Sequence, residues 1–136
     1  MKRKNILAHR GLWADYWQQN TMEAFVGALE QGFGLEFDLR DSNNNLVVSH
    51  DVPSGSELLA FELFKYYSDS KFDSLLAINI KSDGLSHLLA KLLLKWGLES
   101  DQYFAFDMSI PDMLQYLNTQ IQVYSRRSQF ECDVHY

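Results

Sequence analysis

The sequence predicts an α/β fold, a parallel sheet assembled from repeated strand–helix units, on three observations. Short apolar runs alternate with stretches whose apolar residues recur at helical spacing. One run, Leu75-Leu76-Ala77-Ile78-Asn79-Ile80, is nearly continuous, as in a parallel strand buried on both faces. Histidines, acids and cations stand where these runs end, and strand C-termini form one rim in a parallel array.

Ile6-Leu7-Ala8 is the first strand. Asn20-Thr21-Met22-Glu23 reads as a capping box with Asn20 as N-cap, opening a helix with Phe25, Ala28 and Leu29 at its spacing and Gly32 at its end. Leu35-Glu36-Phe37-Asp38-Leu39 alternates apolar with acidic and reads as a strand. Asn43-Asn44-Asn45 is turn chemistry, and Leu46-Val47-Val48 is an extended return that ends at His50-Asp51. Ser54 to Glu57 is a second capping box, read as opening a helix with Leu58, Leu59, Leu63, Phe64 and Tyr67. Asp83 is expected to cap the helix whose apolar positions are 85, 88, 89, 92, 93 and 96, and Gly97 ends it. Tyr103-Phe104-Ala105-Phe106 is a buried strand. Ser109, Pro111 and Asp112 start a helix running to about Asn118, and Ile121 to Tyr124 is a last strand. Five main strands result, where a closed (β/α)₈ barrel needs eight and typically about 250 residues. Residues 1–136 read as a single domain, without repeat or linker.

Composition narrows the function. The 136 residues carry a formal charge of −6, which opposes nucleic-acid binding at long range and leaves room for a local cationic or metal-lined pocket. One cysteine, Cys132, forms no internal disulfide. The apolar run behind Met1-Lys2-Arg3-Lys4 is too short for a signal core, and nothing approaches the roughly 18 apolar residues of a membrane span. A cytoplasmic location is the expectation.

Glu36 and Asp38 are two apart in a strand and share a face. Two carboxylates so close repel unless a cation lies between them, and hard oxygen ligands suit Mg²⁺ or Ca²⁺. Leu35, Phe37 and Leu39 claim the other face for packing, so in a barrel the acids point inward. His9 and His50, each at a strand end, could form an acid/base pair across a phosphorus centre. Taken alone, either histidine reads rather as a hydrogen-bonded strand end. Lys81 and Arg126 could hold phosphate oxygens, or serve as ordinary ion-pair partners. His87 and His135 read as surface residues.

These residues resemble a known pattern. His9-Arg10-Gly11, Asn20-Thr21-x-x-Ala24-Phe25, x-x-Ala28, Gly32, Glu36-x-Asp38 and Val47-Val48-x-His50-Asp51 are similar to the glycerophosphodiester phosphodiesterase family, in order over residues 5 to 51, and Ile78-x-Ile80-Lys81 extends the match. The resemblance implies an α/β fold, a partial (β/α)₈ TIM barrel that lacks its carboxy-terminal strands. It implies His9 and His50 as catalytic general acid and base, Glu36 and Asp38 as ligands of a divalent cation (Mg²⁺ or Ca²⁺), and Arg10 and Lys81 as phosphate-binding residues. The implied reaction is hydrolysis of a small-molecule glycerophosphodiester to glycerol 3-phosphate and an alcohol, through attack of a glycerol hydroxyl on phosphorus and a cyclic phosphate.

Three departures stand beside the resemblance. Gln18-Gln19 replace the family's usual Pro-Glu. Asn79 replaces a glutamate two residues before the lysine, so it is an uncharged third metal ligand. The last three strands are absent, which leaves open sheet edges that invite self-association. A noncatalytic module that binds a phosphate ester or a partner chain is the alternative. A doubly wound binding domain ranks last, because no glycine-rich loop follows the first strand.

Overall fold

A computed structural model describes residues 2–126; Cys132 and His135 lie outside the described residues. Among the described residues four α-helices and six strands follow one another: β1 (Leu7–His9), α1 (Met22–Glu30), β2 (Gly34–Ser42), β3 (Asn45–Val48), α2 (Ala60–Asp69), β4 (Leu76–Ile80), α3 (Ser86–Lys95), β5 (Tyr103–Phe106), α4 (Ile110–Tyr116) and β6 (Val123–Tyr124). The strands form one sheet in the order β1-β2-β4-β5-β6, all pairs parallel, with β3 folded back antiparallel onto the far end of β2. This is the strand–helix alternation of part of a TIM barrel. No helix among the described residues is long and apolar enough to cross a membrane.

Alternation sorts the sheet into two faces. Leu35, Phe37 and Leu39 of β2, Leu76, Ile78 and Ile80 of β4, and Tyr103 and Ala105 of β5 are buried. They belong to a core shared with Phe25, Leu29, Leu63, Phe64, Leu89, Leu93 and Tyr116 of the four helices. Phe37 anchors it, its ring centroid 5.8 Å from Phe25 and 6.1 Å from Phe64. The intervening positions lie side by side across the strands on the opposite face: His9 beside Glu36, Glu36 beside Ala77, Asp38 beside Asn79 and Asn79 beside Phe106.

Three helix starts differ from the sequence expectation. Thr21, not Asn20, caps α1, its Oγ1 accepting from the Ala24 amide at 3.2 Å. Asn20 adopts a left-handed φ of 58° and its side chain turns elsewhere. Ser54 to Glu57 does close on itself, but as a loop ahead of α2. Leu58 and Leu59 run on as extended chain against β3, the Val48 amide donating to the Leu58 carbonyl at 2.8 Å. Asp83 does not cap α3; it accepts from Ser109 Oγ at 2.7 Å and ties two loops together. Ser109 caps α4 as expected, and the final strand shortens to Val123–Tyr124. In the β2–β3 hairpin Asn43 and Asn44 take φ of 49° and 64°, the left-handed pair that a tight antiparallel turn requires.

Gly34 opens β2 where two backbones crowd it. A Cβ there would lie 2.6 Å from the Leu75 carbonyl oxygen and 2.9 Å from that of Lys4. Gly34→Ala is therefore expected to lower stability by about 2 kcal/mol, the scale of forced overpacking, read as a fall in the urea midpoint.

Candidate functional site

The polar cluster forms where β1, β2, β4 and β5 end. Asp38 is its centre and is 1% exposed. Arg10 Nε lies 3.0 Å from Asp38 Oδ2, and Lys81 Nζ lies 3.7 Å from Oδ1. Asn20 Nδ2 donates to Oδ2 at 2.9 Å, and Asn20 Oδ1 accepts from the Asp38 amide at 3.4 Å. Lys81 also reaches Asp107 at 3.3 Å, and Arg126 Nη1 donates to the other Asp107 oxygen at 3.1 Å. Two cations and two carboxylates thus alternate across four strand ends, with Arg126 at the outer end.

Glu36 sits in a second, less compensated arrangement. Its Oε1 accepts from Asn79 Nδ2 at 3.3 Å, and Oε2 lies 3.7 Å from His9 Nε2. Burial is the main cause that raises the Glu36 pKa above the ordinary value of 4.5, and the Asp38 charge adds to it; the Asn79 amide and His9 act in the other direction. His50 stands apart from both carboxylates. Its Nδ1 meets Asp51 Oδ1 at 2.8 Å, and its carbonyl accepts from Arg40 Nε at 3.1 Å. It shares with Arg10 and Asn20 the wall of a cavity of about 630 Å³, which His9, Glu36, Asp38, Asn79 and Lys81 do not line. His87 is exposed on α3, as expected of a surface residue.

Several residues reach the cluster by unusual backbone. Arg10, Asn20 and Asp107 all have positive φ, at 58°, 58° and 71°. Side-chain-bearing residues rarely hold this conformation without support, and such strain gathers at functional sites. Support for Arg10 comes from its amide bond to the Glu36 carbonyl at 2.8 Å and from Gly11 behind it. Gly11 has φ of 90° and packs so closely on α1 that an added Cβ would lie 2.7 Å from the Ala24 Cβ. Gln19 Oε1 accepts from Arg10 Nη1 at 3.0 Å. Gln18 Oε1 accepts from the Ala14 and Asp15 amides at 3.0 and 2.8 Å. The two glutamines therefore brace the β1–α1 loop and orient the guanidinium without neutralising it.

The oxygens present have the chemistry of a hard-cation site in part. Glu36 Oε2, Asp38 Oδ1 and Asn79 Oδ1 are buried atoms without a hydrogen-bond partner, and Asp38 and Asn79 are adjacent in register. Among the described residues no group of three or more His, Cys, Asp or Glu side chains is gathered for metal binding. The donor set is two carboxylates and one amide, and Asp38 already faces two cations. Asn20, read from the sequence as a helix cap, binds Asp38 instead. The sequence carries no signal for this, because Asn is at least as good an N-cap as Thr.

Glu36 gives a pH prediction. Its folded pKa is raised, so the protonated form supports the fold below about pH 4.5 and that support is lost as pH rises through the folded pKa. Glu36→Gln removes the buried charge. In chelator-treated protein the variant is expected to match the parent in urea midpoint near pH 4 and to exceed it near pH 8.

No protein-family model and no curated protein sequence matches this chain. Solved structures do. A candidate glycerophosphodiester phosphodiesterase from Galdieria sulphuraria superposes with a TM-score of 0.73 at 17% identity, over 89% of this chain and 63% of that one. A glycerophosphoryl diester phosphodiesterase from Parabacteroides distasonis superposes with a TM-score of 0.63 at 15% identity, over 89% of this chain and 53% of that one. The chain spans less than two thirds of either protein, and over that span it shares their fold, part of a TIM barrel.

Proposed function

We propose that the site hydrolyses glycerophosphodiesters to glycerol 3-phosphate and an alcohol with the help of a divalent cation. The observation that carries this reading is the pairing of orphaned buried oxygens on Glu36, Asp38 and Asn79 with the cations Arg10 and Lys81 at one set of strand ends. Mg²⁺ or Ca²⁺ held by those oxygens would neutralise charge on the nonbridging phosphate oxygens. Arg10 and Lys81 bind and orient the phosphate. Arg10 is held for this by Asp38, whose Oδ2 lies 3.0 Å from Nε, and by Gln19, which accepts from Nη1. His50, with Nδ1 held by Asp51, presents Nε2 for proton transfer, and His9 is its partner beside Glu36. One histidine takes the proton of the attacking glycerol hydroxyl and the other protonates the departing alkoxide; water then opens the cyclic phosphate by the reverse proton transfers, giving glycerol 3-phosphate. The test is release of glycerol 3-phosphate from glycerophosphodiesters with added Mg²⁺ or Ca²⁺. His9→Ala and His50→Ala are each expected to lower kcat about 10²–10⁴-fold, and unchanged turnover in both removes the assignment.

The second reading is a module that binds a phosphate ester without turnover. It is favoured by Asn79 in place of a third carboxylate and by the cations that already compensate Asp38. Calorimetric titration with Mg²⁺ and Ca²⁺ separates the two. Under the first reading binding saturates, and Asn79→Asp tightens it about tenfold by adding a charged ligand. Under the second, the parent protein binds neither ion and hydrolyses no diester.

A further inference from the structure

Asp107, toward the outer end of the polar cluster, is left without a use by the hydrolytic chemistry. It follows β5 at a φ of 71°, a left-handed conformation that Asp and Asn tolerate better than other side-chain-bearing residues and that gathers at functional sites. Its carboxylate is engaged by two cations: Lys81 Nζ donates to Oδ2 at 3.3 Å, and Arg126 Nη1 donates to Oδ1 at 3.1 Å. Lys81 in turn stands between two carboxylates, 3.3 Å from Asp107 and 3.7 Å from Asp38. An ammonium has three N–H donors, and these two oxygens engage at most two of them. The third can meet a phosphate oxygen, provided that the ammonium stays at the rim.

The two carboxylates pull Lys81 in different directions. Asp38 is paired in register with Asn79, and Asn79 with Phe106, so Asp107 lies one residue beyond that level, toward the strand C-termini. The Asp38 side chain is 1% exposed and that of Asp107 is 18% exposed. Asp38 therefore draws the ammonium down into the sheet, where Arg10 and Asn20 already meet it. Asp107 draws it outward. The lysine stem is flexible, so its own chemistry does not fix where the charge comes to rest. Without the Asp107 charge, Asp38 is the other carboxylate at ion-pair distance, and attraction to a buried carboxylate is screened less than attraction to an exposed one. The ammonium would then settle inward, away from an incoming anion.

We propose that Asp107 is a positioning residue: it holds the Lys81 ammonium at the rim against the pull of Asp38, where it can bind a phosphate, and Arg126 fixes the Asp107 carboxylate from its other oxygen. The proposal rests on the phosphodiesterase reading for the phosphate at Lys81 and adds a residue that acts through that lysine. Its binding arm does not need turnover. The full chain is titrated calorimetrically with glycerol 3-phosphate in buffer containing Mg²⁺. Asp107→Asn keeps the side-chain shape and suits the left-handed backbone, and circular dichroism confirms that the variant folds. By charge alone, removing an anion from the rim tightens phosphate binding. The proposal expects the opposite, a Kd weakened about tenfold, the scale of one charge-assisted contact. In a Lys81→Ala background the same substitution is expected to change Kd by less than about twofold. In the kinetic arm, Asp107→Asn is expected to raise KM for the diester about tenfold and to leave kcat within about threefold, because His9 and His50 are untouched. Unchanged or tighter binding in Asp107→Asn overturns the proposal. So does equal weakening with and without Lys81, which makes the effect one of the fold, and so does a parent chain that binds no glycerol 3-phosphate. Hydrolysis without coupling between Asp107 and Lys81 overturns the positioning role and leaves the phosphodiesterase reading standing. Lys81-dependent loss of binding in a chain that hydrolyses no diester sinks that reading and supports the role of Asp107.

Discussion

Asp38 can lie almost wholly buried because Leu35, Phe37 and Leu39 hold β2 by its other face. Each of these three is fully buried, and burial of such a side chain is worth about 1.5–3 kcal/mol. A one-residue slip of β2 would turn both carboxylates toward Phe25 and Phe64 and expose the three apolar residues. The core therefore fixes the site: the apolar half of the alternation decides where the acidic half must point. Parallel pairing with β4 then sets Asn79 beside Asp38 and carries Lys81 to the same rim.

The two carboxylates share a face but not an environment. Asp38 is met by Arg10, Lys81 and Asn20, so its charge is compensated within the protein. Glu36 has an amide and a histidine, and burial outweighs them. Arg10 and Asn20 make their contacts from left-handed backbone, which aims side chains that a regular strand or helix would point elsewhere. Strain at these positions and an uncompensated buried acid both lower stability, and both are sustained by a core that runs across four helices.

The strands were legible because period-two alternation is local, and every expected strand is present, the last one shortened. The helix starts were less legible. Asn20, Ser54 to Glu57 and Asp83 have the side chains of N-caps, yet each spends its polar atoms elsewhere: on Asp38, on a loop, and on Ser109. A cap and a tertiary hydrogen bond ask for the same short polar residue, and only the fold decides between them. Spacing put Glu36 and Asp38 on one face of β2, and the resemblance set Asn79 with them; in the fold Asn79 is paired with Asp38 in register and donates to Glu36. It could not show that Gln18 and Gln19, read as departures, brace the loop and the Arg10 guanidinium. Nor could it show that Tyr16 and Trp17 open onto the cavity, because a loop has no periodicity from which direction can be read.

Asn79 illustrates how one substitution shifts this balance. A carboxylate at that position would add a third negative charge beside Glu36 and Asp38. The amide instead donates to Glu36 Oε1, leaves its own oxygen directed to no protein donor, and through that hydrogen bond offsets part of the rise in the Glu36 pKa that burial and then Asp38 cause. The same exchange subtracts one unit of charge from any cation's ligand field, and Coulomb attraction to a divalent ion is the term that such sites depend on most. Metal-free stability and cation affinity are thus opposed at a single side chain, and the amide moves the site toward the former.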